Sequence, residues 1–166
     1  KMALGQYVAG MGFSNVGLGL VHSMAHPLGA VYDTPHGVAN AIILPKVMEF
    51  NAESTGERYK EIAKAMGVDD VDSMSQDEYR KAAVKDLAKE VGIPENLKEI
   101  VDEKDLDFLA KSAFEDACLP GNPRDTNQEE IKKIETHFLL KYVLNSWGNL
   151  QMRNAKISKC GNTLIC

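Results

Sequence analysis

The stretch 17–37 contains three of the four histidines of the chain and constrains its fold more than any other segment. His22 and His26 are four positions apart, so a helix projects both imidazoles from one face. His36 follows after a loop that contains proline. Two imidazoles on a rigid helix and a third from a loop are typical of a site for a divalent transition metal. The spacing alone leaves open a His22/His26 pair, a His22/His36 pair, or polar residues on a partly buried helix face.

Small residues surround these histidines, which is unusual for a helix whose surface faces water. They let another backbone or a ligand approach closely, so they favour a functional site. Pro27 lies inside the helix that we expect at about 16–32, and proline clashes with the carbonyl four residues earlier. We therefore predict a bend that directs His36 back toward His22. The small residues are Gly17, Gly19, Ser23, Ala25, Gly29 and Ala30.

Apolar residues recur at helical spacing along most of the chain, and no segment alternates as a strand does. The pattern predicts an all-α fold. We expect the first helix to be buried and to end at Gly12, because glycine is common just past a helix end. Ser75 and Glu78 have the spacing of a capping box, and Asn127 is a candidate cap for the last helix. The helices are expected at about 2–12, 16–32, 37–51, 55–66, 75–91, 105–118 and from 127 onward.

Composition excludes several classes of partner. The chain has 166 residues, 44% of them hydrophobic, and a net charge of −5 without a long basic run. This argues against binding to nucleic acids or anionic membranes. No apolar stretch reaches the length of a membrane span, and we expect no leader. The three cysteines, Cys118, Cys160 and Cys166, are widely spaced, which favours a reducing cytoplasmic location over a disulfide framework.

The motif Gly-Leu-Gly-x-x-His-x-x-x-His-Pro-x-Gly, followed by Pro-His-Gly, lies within 17–37. It resembles the signature of the iron-dependent alcohol dehydrogenases, and most closely that of their lactaldehyde reductase (propanediol oxidoreductase) branch. The resemblance extends from residue 2 to about residue 134 and includes 12–15, 37–41 and 121–124. It implies the C-terminal helical domain of the fold that this family shares with dehydroquinate synthase.

The resemblance also implies roles for individual residues. His22 and His36 would be ligands of Fe²⁺, with Zn²⁺ as an alternative metal. His26 would lie beside the metal, near the nicotinamide and the substrate, where it could pass the hydroxyl proton to solvent. For Cys118, a small core residue is the competing interpretation. The residues implied to line the substrate pocket are Phe13, Leu18 and Cys118.

Family members also have an N-terminal α/β domain with a glycine-rich dinucleotide site, and no such motif occurs here. That part of the family enzyme also supplies an aspartate and a histidine to the metal. The resemblance therefore implies the metal-binding portion of an enzyme that uses NAD or NADP. Its substrates would be small alcohols or aldehydes such as lactaldehyde and 1,2-propanediol. We expect the isolated chain to be inactive.

We expect two regions: a partial metal-binding helical domain at 1–135 and an extension at 136–166 that does not belong to the family. The apolar residues of the extension are expected to form an exposed patch or to bind a second copy, so a homodimer remains an option. Two alternatives are a non-catalytic helical remnant or assembly domain and a lyase-type relative; the histidine signature disfavours the latter. The apolar residues of the extension are Phe138, Leu139, Leu140, Tyr142, Val143, Leu144 and Trp147.

Overall fold

The computed structural model describes residues 1–97 and 100–140, with side chains as far as 138. All regular elements within these ranges are helical, which confirms the all-α prediction. None of the helices described there combines the length and apolar character needed to cross a bilayer. The elements are α1 Met2–Val16, α2 Leu20–Tyr32, α3 His36–Thr55, α4 Arg58–Ala65, α5 Gln76–Arg80, a π-helical turn Lys81–Lys85, α6 Asp86–Glu90, α7 Leu106–Phe114 and α8 Gln128–Leu140, with 3₁₀ turns at Val71–Ser73, Glu103–Asp105 and Leu119–Gly121.

Helices α2, α3, α7 and α8 pack around the main hydrophobic core. Leu20, Met24 and Leu28 recur every four residues along α2 and are all buried, so they form one apolar stripe. Leu109 of α7 and Ile131 of α8 are also fully buried in this cluster. The core thus anchors α2, the helix that carries His22 and His26.

A smaller cluster joins α4 to the segment α5–α6. The predicted capping box is present at its edge, where the backbone N–H of Ser75 donates to Glu78 Oε2 at 2.7 Å. The Ser75 hydroxyl accepts from the backbone N–H of Glu78 in return. The buried residues of this cluster are Ala63, Val71, Tyr79 and Ala83.

The first helix differs from the prediction in its end and in its environment. It passes through Gly12 to Val16, and Gly17 ends it with a positive φ of 82°. The sequence rule was wrong here because a glycine inside a helix costs only about 1 kcal/mol relative to alanine. No residue of α1 is buried, and Val16 is 79% exposed. The expectation of a buried helix was therefore wrong, because burial requires a partner surface as well as apolar residues.

Phe138 also departs from the prediction. We expected an exposed patch beginning at this residue, but its side chain is only 6% exposed and lies in the main core with Ile131 and Ile134. The pattern 131, 134, 138 continues the apolar face of α8, so the helix carries the side chain inward. The other residues expected in that patch lie outside the side chains that the structure describes.

Candidate functional site

Three imidazole rings meet where α2 and α3 join. His22 and His26 project from α2, and His36 is the first residue of α3. The ring centroids are 5.3 Å apart for His22 and His36, 5.4 Å for His26 and His36, and 6.2 Å for His22 and His26. Helix α2 continues past Pro27 and ends at Tyr32, and the next residue, Asp33, is left-handed with a φ of 52°. The turn that follows returns His36 to the helix that carries the other two rings.

The pKa of His22 lies below its ordinary value. Burial of the ring is the largest cause, followed by repulsion from His36 and His26, while Asp116 acts in the opposite direction. The neutral imidazole is therefore favoured, and this form has the lone pair that binds a metal.

Asn40 orients the ring of His36. Its Nδ2 lies 2.9 Å from His36 Nε2, one helical turn away on α3, and donates to it. Asn40 Oδ1 is buried and has no hydrogen-bond partner among the described atoms. Rotating the amide by half a turn would place that oxygen against an Nε2–H instead. With the amide rotated, Nε2–H donates to Asn40 Oδ1 and the lone pair of His36 Nδ1 is free for a ligand; without the rotation, the single lone pair of the neutral ring accepts from Asn40.

Asp116 connects His26 to Cys118. Its Oδ2 lies 2.8 Å from His26 Nδ1, and its Oδ1 accepts the backbone N–H of Cys118 at 2.8 Å. Burial opposes ionisation of Asp116, but the hydrogen bonds from His26 and Cys118 outweigh it and lower the pKa of this carboxyl. Burial and the neighbouring Asp116 raise the pKa of the Cys118 thiol. Sequence reasoning missed Asp116, because it lies 90 positions from His26 and belongs to no local pattern.

The predicted pocket residues fall in two places. Leu18 and Cys118 are both half-buried. A side chain at Gly121 would collide with the carbonyl oxygen of Leu18, so the loop after Cys118 runs directly against the segment before α2. Phe13 lies on α1 and is 41% exposed. The structure therefore brings Leu18 near the Cys118 loop, whereas Phe13 stays on the exposed helix.

Asn122 fastens this loop to two helices. Its Oδ1 accepts from the backbone N–H of Leu20 at 3.3 Å and from Asn51 Nδ2 at 2.9 Å, and its Nδ2 donates to Asn51 Oδ1 at 2.9 Å. Arg124 donates to the carbonyl oxygen of Phe50 at 2.7 Å and stacks 4.0 Å above that ring. The Gly-Asn-Pro-Arg segment thus fixes the first turn of α2, which carries His22, against α3.

The known proteins that this chain resembles belong to one family. A family model described as "Fe-containing alcohol dehydrogenase family, C-terminal" matches residues 1–138. Lactaldehyde reductase from Escherichia coli (strain K12) is 58% identical over 138 residues, which cover 81% of this chain and 36% of that protein. The NAD-dependent methanol dehydrogenase of Bacillus methanolicus is 40% identical over 136 residues, covering 80% of this chain and 36% of the relative.

Among solved structures, an alcohol dehydrogenase from Oenococcus oeni is similar with a TM-score of 0.72 and 40% identity. The similarity covers 78% of this chain and 35% of that one. The chain therefore spans little more than a third of the length of the relatives it matches.

Proposed function

Because the chain belongs to the Fe-containing alcohol dehydrogenase family, we propose that it supplies the metal-binding helical part of an NAD- or NADP-linked alcohol dehydrogenase or aldehyde reductase. Its substrates are small alcohols or aldehydes such as lactaldehyde and 1,2-propanediol, a choice supported by the 58% identity to lactaldehyde reductase. The observation that carries the proposal is the meeting of three imidazoles, with the rings of His22 and His36 5.3 Å apart.

In this proposal His22 and His36 hold Fe²⁺, with Zn²⁺ as the alternative. Two imidazoles bound to one ion at about 2.1 Å have ring centroids up to about 6.5 Å apart, so the observed separation fits. Neutral imidazoles suit either metal. The ion, when bound, supplies a Lewis acid for the oxygen of the substrate. The remaining ligands come from the part of the enzyme that this chain does not span.

His26 is proposed to receive and release the hydroxyl proton. The Asp116 carboxylate accepts a hydrogen bond from Nδ1–H, which leaves the lone pair on Nε2 for the substrate side. A proton taken at Nε2 gives an imidazolium that Asp116 stabilises. Leu18 and Cys118, with Phe13 beside them in the assembled enzyme, line the substrate pocket. His26 also contacts the nicotinamide in this proposal.

The isolated chain is proposed to be inactive. Hydride transfer requires the nicotinamide to be held against the substrate carbon, and the dinucleotide site lies in the remaining two-thirds of the family enzyme. The exposed apolar residues of α1 support a contact with that part of the enzyme. The same surface favours the second candidate, a non-catalytic assembly domain.

The test is an activity assay with two proteins. One is the chain alone, and the other is a fusion of the chain to the preceding part of E. coli lactaldehyde reductase. Each is supplied with Fe²⁺ or Zn²⁺, NAD(H) or NADP(H), and lactaldehyde or 1,2-propanediol. We expect turnover by the fusion only.

His22→Ala and His36→Ala should abolish turnover by the fusion, whereas Lys81→Ala, on the π-helical turn, should not. Turnover by the chain alone would contradict the proposed inactivity. A folded fusion that binds NAD(P) but shows no turnover would favour the assembly domain.

A further inference from the structure

We propose that His26, Asp116 and Cys118 form a metal site of their own, which takes a thiophilic divalent ion such as Zn²⁺ and is separate from the His22/His36 pair. One donor atom from each of the three residues lies within 4.8 Å of the other two. Donors bound to one tetrahedral zinc ion are at most about 4 Å apart, since Zn–S is about 2.3 Å and Zn–N or Zn–O about 2.0–2.2 Å. The donor atoms therefore need to move closer together by less than about 1 Å to bind one ion, a change that side-chain rotations can supply.

Asp116 builds this arrangement before any ion enters. One of its oxygens lies against His26 Nδ1 and the other against the backbone N–H of Cys118, each at 2.8 Å. The imidazole, the carboxylate and the thiol are therefore held side by side, although α2 and the loop after α7 supply them from distant parts of the chain. A site whose ligands are already in place needs little ordering when the ion binds.

The chemistry of the donors selects the ion. A thiolate with an imidazole and a carboxylate is a soft to borderline set that favours Zn²⁺ over Fe²⁺. When the ion binds at His26 Nδ1, the ring carries its N–H at Nε2 and stays neutral, and the proton of the Cys118 thiol leaves to solvent. Water occupies the fourth position.

The site is open to solvent. The side chain of His26 is 40% exposed and that of Asp116 is 17% exposed, so an ion can enter without unfolding the core. His22 and His36 are not needed as ligands. The site shares His26 and Cys118 with the proposed dehydrogenase function, so an ion bound here would replace their roles in proton transfer and in the substrate pocket, but the binding test needs no turnover.

The test uses the full chain with Cys160→Ser and Cys166→Ser, so that Cys118 is the sole thiol. Titration with Co²⁺ alone should produce a thiolate-to-cobalt charge-transfer band, and added Zn²⁺ should remove the band by displacement. Cys118→Ser and Cys118→Ala in this background should abolish it. Asp116→Asn and His26→Ala should weaken Co²⁺ binding at least 100-fold, more than the ~10–100-fold expected for a supporting group. Circular dichroism of each variant confirms that the helices remain.

The variant His22→Ala/His36→Ala separates this site from the one proposed for iron. Retention of the charge-transfer band in this variant supports two separate sites. Loss of the band from the folded double variant would show one shared site and overturn the proposal. The proposal would also be overturned if the parent chain showed the cobalt absorption that histidine ligands give but no charge-transfer band. As a second measurement, Zn²⁺ should protect Cys118 from alkylation, and unchanged alkylation would contradict the site.

Discussion

Helices α1 and α2 are similarly apolar, yet their environments are opposite. Leu20 and Met24 of α2 are almost fully buried against α3 and α7, whereas Leu4 and Val8 of α1 lie in solvent. The two helices differ in the surfaces that cover them and not in their share of apolar residues. A stripe of apolar residues predicts that a surface will be covered when a partner is present, but it does not say which part of an enzyme provides the cover.

The largest expected effect comes from truncating a core leucine. Leu20→Ala should lower the free energy of unfolding by about 2–5 kcal/mol, because it leaves a cavity among residues that cannot collapse into it. The matched control Leu4→Ala, on α1, should change it by less than about 0.5 kcal/mol. Urea unfolding followed by circular dichroism measures both. Equal losses would show that α1 is packed in solution and would remove the contrast between the two helices.

The buried carboxyl of Glu135 gives the core a dependence on pH. Burial raises the pKa of this side chain to about 8, and one carboxylate oxygen has no partner among the described atoms. The side chain lines a cavity of about 10 Å³ together with Met24 and Leu109, close to the volume that one water needs.

Because the folded state favours the protonated form, the stability that Glu135 contributes should be complete below its ordinary pKa of 4.5 and should be lost as the pH rises toward about 8. The loss is about 1.4 kcal/mol per pH unit at most. Unfolding measured from pH 4.5 to pH 8 should show this slope for the parent and a flatter profile for Glu135→Gln. Identical slopes would mean that Glu135 is hydrated or ionised in the fold.

Asn122→Ala tests how the site is fastened to the core. The substitution removes the amide pair with Asn51 and leaves the backbone N–H of Leu20 without its acceptor. We expect a loss of about 1–3 kcal/mol in thermal unfolding, the usual cost of leaving such groups unpaired. Asn127→Ala, which removes an N-terminal cap from α8, is the matched control at about 1 kcal/mol. A smaller loss for Asn122→Ala than for Asn127→Ala would contradict the fastening role.

The smallest effect is expected on α1. Leu4→Gln with Val8→Gln should leave the stability of the isolated chain within about 0.5 kcal/mol, because both side chains are already exposed. The same pair should lower the melting temperature of the fusion to the N-terminal part of lactaldehyde reductase if α1 is covered there. An unchanged fusion would show that α1 is not the contact surface.

Local signals in the sequence predicted local structure well. The capping box of Ser75 and Glu78 involves residues three apart, and the structure contains both of its hydrogen bonds. The histidine signature identified the family correctly, as the match over residues 1–138 confirms. The contact of Asp116 with His26 was missed because no periodicity records a contact between residues 90 positions apart. The burial of Phe138 was also missed, although Phe138 continues the apolar face that Ile131 and Ile134 form on α8.

Several assignments stay predictions, because neither the sequence pattern nor the fold of this chain tests them. These are the metal roles of His22 and His36, the proton transfer by His26, the pocket roles of Phe13, Leu18 and Cys118, and the boundary at residue 135. The cytoplasmic location, the homodimer and the choice between NAD and NADP are predictions of the same kind.

Asn122, which fastens the site, is also protected from deamidation. Asparagines lose ammonia when the backbone nitrogen of the next residue attacks the side-chain amide and closes a five-membered imide. Asn122 is followed by Pro123, whose nitrogen carries no hydrogen, so this route is blocked. Conversion to aspartate would set a negative carboxylate against Asn51 Oδ1, where the Asn122 amide now donates. The order of these two residues therefore closes the imide route by which the neutral amide pair would become charged.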